Sequence, residues 1–301
     1  MHPTLKATIV VSMFTACKPN PETSLKISGG ALSYNHPFVQ PIYDSKTGEK
    51  FCSSVFIEKK VALSAAHCFA DSAVKKSPPL VINDKGLFVA RKVYVPQAFT
   101  SNNSSDHYAY DFAVIVFDQP ATDAVIAVKT SSSLTAGDSN LRAIGFGCNR
   151  TAASFMKSGT ALLRAYEQGL IRWMSPEPMR VKRLEFAGKK DANAYEVEGS
   201  LKLGEDHLDV MVCPGDSGGA LVQGKELVAI TSRMFPTKKT SAFTSLSHTY
   251  ASRIIKNAVS GRITPEDRLL VAKHPDAFKV DEALATRLLS EYKTCRRIEG
   301  V

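Results

Sequence analysis

From about residue 27 to residue 242 the chain alternates short apolar runs, rich in β-branched residues, with Gly, Pro, Asn and Ser. The runs at 51–57, 60–63, 87–95, 112–117, 143–147, 220–222 and 227–231 carry this pattern most clearly. Many such runs in series, each bounded by turn-forming residues, predict short strands assembled into a sandwich or barrels. After residue 247 the period changes. Tyr250, Ile254, Ile255 and Ala258 recur at i, i+4, i+5 and i+8, which predicts a helix over 247–259. A second helix is predicted over 281–292, where Leu284, Leu288 and Leu289 share one face. The pattern is that of a mostly β body with helices at its C-terminal end.

Composition narrows the functional classes. With 301 residues, 44% apolar and 22% charged, the chain reads as globular. No apolar run reaches the roughly 18 residues a membrane-spanning helix needs. The formal net charge is +9, but the basic residues are scattered. There is no arginine-rich arm, zinc-finger spacing or aromatic RNA-binding motif, so this charge predicts a solvated basic surface rather than nucleic-acid binding.

Residues 1–17 read as an export signal: a short, weakly positive segment at 2–6 and an apolar stretch at 7–16. Phe14-Thr15-Ala16-Cys17 then resembles a bacterial lipobox, with Phe14 where Leu is usual. That resemblance implies diacylation of Cys17 and an envelope lipoprotein, periplasmic or at the outer membrane. An ordinary secretory signal cut near Ala16, or a buried N-terminal strand, are the alternatives. The first two place the chain outside the cytoplasm, where disulfides persist. Residues 18–24 form a Pro-containing polar tether. Cysteines stand at 17, 52, 68, 148, 213 and 295. With Cys17 lipidated, five remain, and one of them is free or pairs with another chain.

Four segments carry candidate chemistry. Gly215-Asp216-Ser217-Gly218-Gly219 satisfies the Gly-x-Ser-x-Gly nucleophile elbow of esterases, for which Asp267 and His274 would supply acid and base. That elbow needs a helix after the serine, whereas 220–222 continues as a strand. The other segments are Phe51-Cys52 with Ser64-Ala65-Ala66-His67-Cys68, Tyr110-Asp111-Phe112-Ala113-Val114-Ile115, and Lys26-Ile27-Ser28-Gly29-Gly30. Asp111 follows His67 by 44 residues, and Ile27 precedes it by 40. In order and spacing the four segments resemble the chymotrypsin-like serine endopeptidase family over about residues 27–260.

The resemblance implies an all-β fold of two packed antiparallel six-stranded Greek-key barrels closed by a C-terminal helix. Residues 18–26 would be tether and activation segment, and 261–301 a helical extension. It implies a triad in which Ser217 is the nucleophile, His67 the general base and Asp111 the group that orients the imidazole. Ser232 would lie behind Asp111. Cleavage after Lys26 by another protease would free Ile27, whose ammonium pairs with Asp216. That pair would order the loop so that the Gly215 and Ser217 N–H groups form the oxyanion hole. Met211 falls at the base of the primary specificity pocket, with Met234 and Ser241 at its walls. This implies cleavage after small to medium aliphatic residues rather than Lys or Arg, whose charge would be buried unpaired. Cys52 and Cys68 are implied to bridge the histidine loop, and Cys148 and Cys213 to form a second bridge, leaving Cys295. The Lys- and Arg-rich stretch between 148 and 213 would be a solvated loop or a lid. The implied partners are protein or peptide substrates and an activating protease. No cofactor, metal or nucleic acid is implied, and the membrane enters only through a lipid at Cys17. The competing reading is a catalytically idle protein that keeps the fold and holds a partner.

Overall fold

The computed structural model describes residues 31–32, 36–70, 77–101, 109–130, 134, 141–147, 172–173, 180–186, 189–198, 200–203, 206–209, 212, 214–235, 240–273 and 279–298. Cys17, Lys26, Ile27, Cys148, Met211 and Cys213 lie outside them. The first half of the chain contains β1 (Ala31–Leu32), β2 (Val39–Asp44), β3 (Lys50–Glu58), β4 (Val61–Ser64), α1 (His67–Ala70), β5 (Pro79–Asn83), β6 (Gly86–Pro96), α2 (Gln97–Ser101) and β7 (Ala113–Phe117). The second half contains β8 (Ala127–Val128), β9 (Leu141–Gly145), β10 (Arg172–Trp173), β11 (Arg180–Phe186), β12 (Lys189–Glu198), β13 (Ser200–Leu203), β14 (Asp206–Asp209), β15 (Ala220–Gln223), β16 (Glu226–Phe235), β17 (Thr240–Ser245), α3 (Thr249–Val259), β18 (Leu269–Lys273) and α4 (Glu282–Ile298).

Six strands close a barrel in the order β6-β5-β2-β3-β4-β7, with β7 pairing back onto β6. The length of β6 makes closure possible. Its first half pairs with β5, and from Ala90 onward it pairs with β7 through a register shift between Ala90 and Lys92. Such a bulge bends and twists a strand, which is how a sheet turns a barrel corner. The interior is filled by Ile42, Phe56, Ala62, Val81, Val93, Ile115 and their neighbours, all buried.

The second half forms a nine-stranded sheet along β1-β10-β9-β15-β16-β17-β12-β11, with β8 parallel to β16. Among the described residues this nine-stranded sheet is open, so in place of the expected second six-stranded barrel there is a sheet, while the closed first barrel and the C-terminal helix are those of the expected chymotrypsin-like fold. The Lys- and Arg-rich stretch corrects the expectation of a loop, because β11 and β12 pair and extend the sheet from β17. A second core cluster joins the halves: Val55, Leu63 and Phe112 meet Ile144, Ala220, Val222 and Ile230. Helix α3 seals it with Ala251, Ile254, Ile255 and Ala258, the face that the helical period marks.

The C-terminal extension contains the expected helix and also a strand that the pattern did not reveal. Buried Asp267 accepts bonds from the Thr264 N–H at 2.9 Å and from Asn257 Nδ2 at 3.1 Å, turning the chain after α3. Strand β18 then pairs with β6, Leu269 opposite Pro96 through Lys273 opposite Lys92. Helix α4 lays Leu284 and Leu288 against Leu80 and Ile82 of β5.

Candidate active site

His67 opens α1, and the Cys52–Cys68 disulfide ties that turn to β3, with Cα atoms 6.4 Å apart across a separation of 16 residues. The expected bridge is therefore present. A covalent tie at this point fixes the ring before any substrate arrives. Asp111, which leads into β7, is 1% exposed. Its Oδ1 accepts the His67 backbone N–H at 2.9 Å. Its Oδ2 accepts from His67 Nδ1 at 2.7 Å and from the Ser232 hydroxyl at 2.5 Å. The carboxylate is thus held by three donors.

Burial works to raise the Asp111 pKa, but the charge of His67 and the hydrogen bonds from His67 and Ser232 outweigh it and hold the carboxyl below its ordinary range. Asp111 is therefore ionised at neutral pH and can only accept, so His67 Nδ1 carries a proton and Nε2 is the free acceptor. Burial works to lower the His67 pKa. The charge of Asp111 and its hydrogen bond reverse that and leave it raised, with the Arg233 cation pulling the other way. The His67 side chain remains 32% exposed, open to an incoming group.

The loop 214–219 packs between β3 and β16. The Ser53 N–H donates to the Ser217 carbonyl at 2.8 Å, and the Gly218 N–H to the Thr231 carbonyl at 2.8 Å. Ser217 Oγ donates to the Ser232 carbonyl at 3.4 Å. Ser232 therefore touches both Asp111, through its hydroxyl, and Ser217, through its carbonyl. Gly215 has φ 96°, a conformation that side chains with a Cβ rarely adopt. Asp216 is 1% exposed, and its Oδ1 accepts the Gly147 N–H at 2.6 Å. A Cβ on Gly147 would lie 2.5 Å from each oxygen of that carboxylate, so the Gly-Phe-Gly turn must be bare there.

Around the expected specificity pocket, Ser241 is fully buried and its Oγ accepts the Val212 N–H at 3.0 Å. Met234 lies across from Ser241 in the β16–β17 ladder. Among the described residues the one grouping of potential metal ligands is Cys52, His67 and Cys68. Both sulfurs are consumed by the disulfide, so the group offers no thiolate to a metal. Two contributors escaped the sequence reading. Arg233 is exposed on β16 beside Ser232 and acts electrostatically on His67. Ser53 is buried on β3, and the only signal for it was a pair of serines inside an otherwise apolar strand.

Comparison with known proteins gives the family and the fold. The profile of the trypsin family matches residues 27–254. The chain is 26% identical to trypsin iota of Drosophila melanogaster over 235 residues, covering 75% of this chain and 85% of that protein. It is 23% identical to trypsin theta of the same fly over 205 residues, 65% of this chain and 71% of that one. Among solved structures it is similar to a Glu endopeptidase, with a TM-score of 0.53 at 16% identity over 77% of this chain and 97% of that one. Human heparin binding protein gives 0.55 at 15% identity, over 78% and 97%. These distant structures share the fold, while the profile match spans most of the sequence: the chain belongs to the trypsin family.

Proposed function

We propose that this protein is a serine endopeptidase that hydrolyses peptide bonds through an acyl-enzyme, with Ser217 as nucleophile, His67 as base and Asp111 as its orienting partner. The observation that carries the reading is the chain of contacts from His67 Nδ1 to Asp111 and, through Ser232, to Ser217. Nε2 takes the proton of Ser217 as its oxygen attacks the carbonyl, and returns it to the leaving amine. The ionised, buried Asp111 stabilises the imidazolium in between. The oxyanion lies against the Gly215 and Ser217 N–H groups. A fluorophosphonate should label Ser217 of the active form and should fail on the His67→Ala protein. A form cut to start at Ile27 that stays unlabelled and cleaves no peptide would favour the idle, partner-binding reading.

Activation by cleavage after Lys26 belongs to the same proposal. The buried Asp216 carboxylate stands beside the nucleophile, where an ammonium at Ile27 would order the loop. The Lys26→Gln protein should remain nearly inactive. Met211, Met234 and Ser241 are proposed to shape a pocket for small to medium aliphatic side chains. We also propose export through residues 1–17, with a lipid anchor at Cys17 where the lipobox-like sequence lies. A preference for Arg before the scissile bond by more than tenfold would refute the pocket assignment, and mass spectrometry of the mature N-terminus tests the anchor.

A further inference from the structure

We propose that Ser53 is a positioning residue for the oxyanion hole, a role that rests on the reading of Ser217 as nucleophile with Gly215 and Ser217 as oxyanion donors. Ser53 is fully buried on β3 and holds the nucleophile loop by two routes. Its Oγ donates to the Gly215 carbonyl at 2.7 Å, and its backbone N–H donates to the Ser217 carbonyl at 2.8 Å. The same Oγ accepts the Phe146 N–H at 2.9 Å. The next residue, Gly147, donates to Asp216. One hydroxyl therefore joins the two segments that flank the Asp216 side chain. The Ser53 carbonyl is itself held by the Ser64 hydroxyl at 2.7 Å, so the post is rigid.

The need for such a post follows from the residue it holds. Gly215 has no Cβ and a positive φ, so its peptides can reorient at little steric cost. An oxyanion donor must be fixed in advance, because ordering it during the reaction forfeits the preorganisation that makes it effective. The hydroxyl restrains Gly215 by its carbonyl, and through that the N–H on the other side of its Cα. Packing alone would be served as well by Ala. A buried hydroxyl in an apolar strand is costly unless paired, and this one is paired both as donor and as acceptor.

The test compares Ser53→Ala and Ser53→Gly with the wild type, all cut to start at Ile27. Ala removes the hydroxyl but keeps the Cβ, which bars a water from its place, whereas Gly opens room for a water that can bridge Phe146 and Gly215. Positioning predicts a kcat order of Ser above Gly above Ala. The Ala variant should lose about tenfold in kcat, a fraction of the roughly 10²–10³ lost with a whole donor. KM should stay within twofold. A peptide aldehyde, whose hemiacetal oxygen occupies the hole, should weaken by the same factor as kcat, and the matched peptide amide should not. If Ala does not unfold cooperatively, the Gly variant carries the test by its own fall in kcat and aldehyde affinity. A purely structural role puts Gly below Ala, or moves aldehyde and amide together, and overturns the proposal. So does an unchanged kcat in the variants. A wild type that fluorophosphonate leaves unlabelled overturns the underlying reading instead, and this one with it.

Discussion

Replacing Asp111 with Asn tests the site at its most constrained point. The carboxylate receives the His67 N–H on Oδ1 and both His67 Nδ1 and Ser232 Oγ on Oδ2. An amide has one oxygen and one NH₂, so it cannot accept at both ends. If its oxygen takes the Oδ2 place, the NH₂ opposes the part-buried His67 N–H, and that donor is stranded at about 1–3 kcal/mol. If its oxygen takes the Oδ1 place, the NH₂ donates to Nδ1, which forces the tautomer with hydrogen on Nε2. That tautomer cannot accept the Ser217 proton. The second arrangement keeps the backbone bond and should prevail. Loss of the base and of the charge facing the imidazolium should lower kcat by about 10⁴, the size of the effect when a triad acid is made an amide. At roughly 1.36 kcal/mol per tenfold this is about 5.5 kcal/mol of transition-state stabilisation. KM should change little, since Asp111 is buried away from substrate. The residual activity should show its acid limb at lower pH, because the charge that raises the His67 pKa is gone. The assay is kcat/KM against pH on a peptide anilide, with Tm as a control for folding. A folded variant within tenfold of wild type would refute the assignment of Asp111.

On the proposed mechanism protonation of His67 removes the base, so in the wild type kcat/KM should fall as pH falls through a raised His67 pKa. The midpoint of that limb should lie above the ordinary 6.5. Arg233→Gln removes a cation that opposes protonation and should move the limb to still higher pH; a move to lower pH would contradict the electrostatic reading. For the extension, Leu288 is 3% exposed and packs with Leu80 and Ile82, so Leu288→Ala should cost about 2–4 kcal/mol in denaturant unfolding. An unchanged midpoint would mean that α4 does not share the barrel's stability.

The local chemistry of this protein was legible in its sequence wherever a residue type served one purpose. Short β-branched runs gave β3, β4, β7, β15 and β16, and the shift to a helical period gave the buried face of α3. His67, Cys68, Asp111 and the Gly-Asp-Ser-Gly-Gly loop sit in such distinct local patterns that order and spacing pointed to the family. What the sequence could not carry were contacts between distant segments. Charged β11 and β12 become strands because β17 offers them an edge to pair with, which overrides weak intrinsic preference. The five-residue strand β18 is one apolar run among many until β6 provides its partner. Ser232 is placed behind Asp111 only through the family resemblance, whereas Ser53 is a common residue whose role depends on a partner more than a hundred positions away, Gly215. A hydroxyl acquires meaning only from the donors and acceptors that folding brings within about 3 Å of it.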